Sequence, residues 1–406
     1  MQLKNYPSYH ITYCTNIHPG EQWNDVFEQL KTHVPELKRR LSPDRDFGIG
    51  LRLSARAARQ LQDAHLEEFK QWLNQRQCYV FTMNGFPYGD FHHQRVKDLV
   101  YAPDWRTEER LNYTINLAHI LAELLPEGMD GGISTSPVSY KYWLQQPSLK
   151  EQACRKGSKN LARVAWALAK IREESGKILH VDIEPEPDCL IENTPETIDF
   201  FNRWLLPIGS TFLENSCGIS LEEAETILRD HVRLCYDTCH FALEYENPRQ
   251  ALRQFEEAGI KIGKTQVSAA LKAVLPETTV GRRQIRDELR KFVESTYLHQ
   301  VIERREDGSF RQYRDLDQAL PHIFDEQARE WRIHYHVPIF VDSFEQLNAT
   351  QRDITQSLEV LKATGQCRHF EIETYTWEIL PEELKKDSLE SIAREFEWVI
   401  AAFGDH

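Results

Sequence analysis

Three carboxylates stand where short apolar runs end. Glu184 lies in ILHVDIEPE (178–186), Asp237 in RLCYDTCHF (233–241) and Glu373 in HFEIETYTW (369–377). A fourth run, IKIGKTQVS (260–268), carries Gln266 in the corresponding place. If these runs are strands of one parallel barrel, the four side chains meet at the end where the βα loops build a site. Carboxylates brought together there repel one another unless a cation or protons neutralise them. Three carboxylates with an amide oxygen and an imidazole form a hard-to-borderline ligand set. It suits Mn²⁺, Mg²⁺ or Zn²⁺ in an open site. His336 and His334 alternate with Tyr335, so both imidazoles share one strand face. His240, three residues past Asp237, can turn back over the same mouth. Arg52, Asn84, His92 and Lys97 sit on or after the second and third runs and are candidate polar contacts to a bound molecule. His92 and Lys97 suit an anionic group, although an ordinary ion pair is the blander reading for Arg52 and Lys97. Asp182 and Glu371 lie deeper and read as structural, each with a basic or backbone partner.

The elements that must position these groups alternate along the chain. Strand patterns fall at 9–16, 47–53, 78–84, 130–135, 178–186, 232–237, 260–268 and 370–373. Helical periodicity fills the gaps. In 21–41 the apolar positions are Trp23, Val26, Phe27, Leu30, Val34 and Leu37. Ser54 and the capping box Ser220–Glu223 mark two helix starts. About eight strand–helix units, with no GxGxxG after the first strand, favour a closed (β/α)8 TIM barrel over an open nucleotide-binding sheet. Residues 280–345 break the alternation. They hold a hairpin with Asp307-Gly308 at its turn and an extra strand-like run, RIHYHVPIFV (332–341). We read them as an insertion between strands seven and eight, over the C-terminal face of a single domain spanning 1–406.

Lys+Arg of 49 against Asp+Glu of 63 gives a net charge of −14, which repels nucleic-acid backbones and anionic membrane surfaces. Eight cysteines without a Cys-x-x-Cys spacing read as buried thiols of a reducing compartment. The N-terminus lacks a signal-peptide pattern, and no apolar run is long enough to span a bilayer. A cytoplasmic protein, not embedded in a membrane, is expected.

The order strand-Glu (Glu184), Asp-x-x-His (Asp237, His240), a polar group on strand seven (Gln266) and strand-Glu (Glu373) resembles the xylose-isomerase-like superfamily. That group includes sugar isomerases, ketose epimerases and AP endonucleases. Nearly end to end, HITYCTNIHPGEQW, GIGLRLSARAARQL, FTMNGFPYGDFH, VKDLVYAPDWRTEERL, DIEPEPDC, CYDTCHFA, GKTQVSAAL and HYHVPIFVD look like the EboE-type metabolite traffic proteins of bacterial secondary-metabolite clusters. The superfamily resemblance implies a divalent metal (Mn, Zn or Mg) on Glu184, Asp237, Gln266 and Glu373, with His336 as a supplementary ligand. The strand-seven ligand is usually His or Asp in the isomerases and epimerases, so Gln266 is a departure that weakens the site. The implied activity is isomerisation or epimerisation of a sugar, cyclitol or their phosphates, by proton transfer next to a carbonyl. Glu184 and Glu373 would exchange the proton. His240 would contact the substrate, with His334, Asn84, His92, Arg52 and Lys97 as further contacts. The EboE resemblance implies an alternative, a non-catalytic protein that holds a small metabolite and hands it to a membrane partner. An AP-endonuclease-like activity is the weakest alternative, because the charge opposes nucleic acid.

Overall fold

The computed structural model describes residues 1–89, 96–376, 380 and 387–405. Eight parallel strands form the barrel, in the order expected for one strand per unit. They are β1 (His10–Tyr13), β2 (Phe47–Arg52), β3 (Cys78–Asn84), β4 (Asp130–Thr135), β5 (Ile178–Ile183), β6 (Val232–Asp237), β7 (Ile262–Val267) and, after an insertion, β14 (His369–Ile372). β14 pairs with both β7 and β1. The last seam, β1 against β2, is closed largely by side chains. Thr12 Oγ1 accepts from Gly50 N at 2.8 Å and donates to Gly48 O, and Thr15 Oγ1 accepts from Arg52 N at 2.9 Å.

Helices cover the outside with their apolar faces. Trp23–Leu41 buries the six apolar residues read from its period. The helix expected after Ser54 is broken into Ala55–Gln60 and Asp63–Arg76. Ser54 caps the first piece by accepting from Ala57 N. Among the described residues no helix is long and apolar enough to cross a membrane. All eight cysteines are free thiols.

The barrel interior is polar where most such barrels pack branched aliphatics. Lys264 on β7 and Glu371 on β14 form a completely buried ion pair, Nζ to Oε2 2.5 Å. Below it, His180 Nδ1 lies 2.6 Å from Asp182 Oδ1, also fully buried. Glycines make the room. A Cβ on Gly50 would sit 1.9 Å from Glu371 Oε1, and one on Gly263 2.0 Å from Asp182 Oδ1. Removing one partner strands a buried charge. Lys264→Met is therefore expected to cost about 3–5 kcal/mol in a urea unfolding curve. The double variant Lys264→Met/Glu371→Leu should recover most of that loss.

Between β7 and β14 the chain builds a separate antiparallel sheet. Its strands are β8 (Ala269–Val274), β9 (Val301–Arg305), β10 (Phe310–Tyr313), β11 (Ala328–Val337), β12 (Ser343–Phe344) and β13 (Leu347–Ala349), in the order β10-β9-β11-β8-β13-β12. The sheet starts earlier than the sequence pattern suggests. β8 follows β7 after a single residue, Ser268, so GKTQVSAAL spans two strands of different sheets. The surplus strand-like run at 332–341 is, as far as Val337, the end of β11 and belongs to this sheet, not to the barrel. β11 loses register against β8 between Ile333 and Val337. That irregularity contains His334 and His336, and a bulge re-aims side chains in this way.

Candidate metal centre

Each acid is delivered by a strand end. Glu184 follows β5, Asp237 ends β6 and Glu373 follows β14. One ligand oxygen from each lies within 4.8 Å of the other two. All three side chains are buried. The ion pairs of the described residues give them no Lys or Arg partner, since the nearby Lys264 is spent on Glu371.

The surroundings tie down one oxygen and leave another. Asp237 Oδ1 accepts from Ser268 Oγ (2.6 Å), Cys239 N (2.7 Å) and His240 N (3.2 Å), capping the helix Thr238–Leu243. Its Oδ2 has no hydrogen-bond partner. Glu373 Oε1 accepts from the amides of Asn16 and Asn84, both at 2.8 Å. Glu184 Oε2 is also without a partner. Gln266 is opposite Asp237 and Glu371 in the two ladders, fully buried, and neither end of its amide is hydrogen-bonded. His336 Nδ1 lies 2.5 Å from Glu373 O, a pure acceptor. That partner fixes the proton on Nδ1, so Nε2 carries the lone pair, and Nε2 has no partner. Buried polar atoms left unpaired are costly. An oxygen and nitrogen set of this kind, oriented by outer hydrogen bonds, fits a divalent cation.

Burial, and then the mutual repulsion of the acids, raises the carboxyls of Glu184 and Glu373 well above the usual range. Burial does the same to Glu186. Without a cation these groups hold protons. Burial also lowers His240, lowers His334 strongly, and brings His336 to about 4, so all three rings are neutral at ordinary pH.

Above the acids lies a cavity of about 50 Å³. Asn84, Glu184, Glu186, His240, His334, His336 and Glu373 line it, with Phe86, Val100 and Tyr375 as an apolar flank. Asn84 lines it with its amide nitrogen already committed to Glu373 and to Cys14 Sγ. Arg52 and Lys97 are elsewhere. The Arg52 guanidinium bonds Glu21 and the carbonyls of Gly20 and Gly89. Lys97 pairs with Asp315 at 2.6 Å and with Glu294 O. Each neutralises a loop contact and neither lines the cavity. His92 lies outside the described residues.

Sequence reasoning passed over Glu186, Asn16 and Lys264. Glu186 had a signal, because Asp182, Glu184 and Glu186 continue one alternation past the strand end. Asn16 and Lys264 gave none, since their roles are set by partners hundreds of residues away or on another strand.

Among solved structures the chain is similar to the IolI protein with a bound zinc atom, at 14% identity over 97% of this chain and 98% of that one, TM-score 0.49. It is also similar to a xylose isomerase-like TIM barrel protein from Mycobacterium smegmatis in complex with magnesium (11%, 97% and 96%, 0.49). A D-tagatose 3-epimerase-like protein matches at 10%, 97% of each chain and 0.46. No protein-family model matches the chain, and no curated protein matches it. The barrel assignment here rests on the strand order and pairing of this chain itself.

One buried acid behind the site gives a pH test of the rim. Glu395, in the closing helix Ser388–Phe403, accepts from Thr374 Oγ1 and Ile339 N. It thereby ties the loop after Glu373 to the end of the insertion. Burial pushes its carboxyl up from 4.5 to about 8. The folded state therefore holds a proton that the unfolded state releases. Its contribution to stability is complete below pH ~4.5 and is lost as pH rises through ~8. Glu395→Gln keeps the acceptor oxygen without the charge. Thermal melts from about pH 5 to about pH 8 should fall less steeply for this variant than for the wild type.

Proposed function

We propose that the chain is a divalent-metal-dependent isomerase or epimerase acting on a sugar, a cyclitol or a phosphate of either. One observation carries the reading. Three buried acids from distant strands converge without a basic partner among the described residues, and Glu184 and Asp237 each keep an oxygen that the surrounding hydrogen bonds do not use. Glu184, Asp237, Gln266 and Glu373, with His336 Nε2, would hold the ion. A divalent cation there would supply electrostatic stabilisation of the oxyanion that develops when a proton leaves carbon.

The protein's own groups do the proton work. Glu184 and Glu373 each have two oxygens, so one can serve the ion while the other takes or returns a proton. The amides of Asn16 and Asn84 fix Glu373 Oε1 and leave Oε2 for transfer. His240 and His334 line the same cavity and would contact the bound molecule, while Phe86, Val100 and Tyr375 would limit water. Arg52 and Lys97 anchor loops in this reading. The sequence resemblance to EboE-type proteins would put the reaction in a secondary-metabolite pathway.

The test is carbon-bound hydrogen exchange. Aldoses, ketoses, cyclitol ketones and their phosphates are incubated with Mn²⁺-loaded protein in D2O and followed by proton NMR. Loss of a signal next to the carbonyl, with appearance of an isomer or epimer, is expected. Saturable binding of a panel member with no exchange would instead indicate a metabolite-holding protein, and would end the enzymatic reading.

A further inference from the structure

Two acceptors in the cavity face each other with no donor between them. His240 Nδ1 lies 2.8 Å from Pro185 O, a pure acceptor, so Nδ1 carries the proton. His334 Nδ1 lies 2.8 Å from Gln300 Oε1. The Gln300 amide nitrogen donates to Tyr101 Oη and Pro187 O, both at 3.2 Å, so Oε1 accepts and His334 Nδ1 is its donor. Both Nε2 atoms therefore carry lone pairs, and they lie 3.2 Å apart. Glu186 stands beside the pair. Its Oε1 accepts from Tyr101 Oη at 2.9 Å and lies 3.6 Å from His334 Nδ1, which leaves Oε2 unused among the described residues. Buried acceptors left in this state call for a ligand that donates. Charge points the same way. Glu184, Glu186 and Glu373 line the cavity, and Asp237 joins the acids beneath it. A divalent cation would offset two of these four charges. Among the described residues no Lys or Arg lines the cavity. A phosphate would add to the excess, whereas an ammonium group would offset it.

We propose that the molecule bound here is an amino sugar or an amino cyclitol, with its ammonium group seated against Glu186, His240 and His334. This rests on the reading that the cavity takes a sugar or a cyclitol, and it narrows that reading away from phosphate esters. A primary ammonium has three N–H donors and no acceptor, enough for Glu186 and for both imidazole lone pairs. Its hydrogen bond to Glu186 is charge-assisted, the stronger kind. Phe86 and Tyr375 line the same cavity, and aromatic faces attract ammonium groups. A neutral hydroxyl at the same place brings one donor and no charge.

The test is a set of matched pairs, titrated into the Mn²⁺-loaded full-length chain near neutral pH and read by calorimetry. Glucosamine is set against glucose, galactosamine against galactose, and an inosamine against inositol, with N-acetylglucosamine and glucose 6-phosphate as controls. In at least one pair the amine should bind about tenfold or more tightly than its parent, the difference a hydrogen bond to a charged group makes. N-acetylation keeps the nitrogen and removes its charge, so it should abolish the gain. The phosphate ester should bind no better than glucose. Glu186→Gln should bring the ratio within a pair close to one. Thermal melts show whether that variant folds, and if it does not, the wild-type comparisons carry the test. An amine no tighter than its parent in every pair, a phosphate ester that binds tightest, or a ratio unchanged in folded Glu186→Gln would overturn the amine. Hydrogen exchange on neutral sugars would then leave the proposed function intact. A preference for amines without any hydrogen exchange would do the reverse, and no binding by any member would overturn both.

Discussion

Glu184→Gln and Glu373→Gln are each expected to slow carbon-bound hydrogen exchange by about 10²–10⁴-fold, the range general acid–base groups contribute. Glutamine keeps an oxygen that can face a cation and the shape that Asn16 and Asn84 hold, but it cannot accept a proton. The loss should therefore fall on kcat, with KM changing little. Asp237→Asn should behave differently. Asp237 is tied to Ser268 and the helix cap through Oδ1 and offers only Oδ2 to the ion. Its substitution should weaken metal binding, with activity recovering as Mn²⁺ is raised. If Glu184→Gln is also rescued by excess Mn²⁺, its role is to hold the ion and not to move the proton.

Metal binding should release protons. In the metal-free protein, burial and mutual repulsion keep Glu184 and Glu373 protonated well above the usual carboxylate range. A cation replaces those protons. Affinity should therefore fall as pH falls, by about tenfold per pH unit for each proton displaced. Calorimetric titration of Mn²⁺ in buffers of different ionisation enthalpy counts the protons directly. Bound ion should also stabilise the fold. At free Mn²⁺ one hundred times Kd the gain is about 2.7 kcal/mol, read as a rise in Tm that a chelator reverses. A pH-independent affinity would mean that the acids are already ionised, which their burial, with no basic partner among the described residues, opposes.

Much of this site was legible because its carriers are strand ends. A buried strand has a short apolar pattern, and an acid at its end breaks that pattern visibly, as at Glu184, Asp237 and Glu373. The histidine pair at 334 and 336 was legible as an alternation. Its route into the mouth was not, because that depends on a loss of register between β11 and β8. The departure of β8 from the barrel was hidden as well. Ala269–Val274 continues the apolar pattern of β7, and the corner at Ser268 is made by hydrogen bonds to Thr238 and Asp237. Arg52 and Lys97 show the converse. Their positions after strands two and three suggest substrate contacts, but Glu21 and Asp315 satisfy them more cheaply at the loops. The polar barrel interior has its trace in Gly50 and Gly263. Their meaning as space for Asp182 and Glu371 emerges only when facing strands are paired.

The most direct test is diffraction from crystals grown with Mn²⁺, collected at a wavelength where manganese scatters anomalously. The account predicts an anomalous peak bonded to Glu184, Asp237 and Glu373, at about the 2.0–2.6 Å that oxygen ligands give hard divalent ions. Well-ordered carboxylates with no peak between them, holding protons and hydrogen-bonded to one another at saturating Mn²⁺, would contradict it.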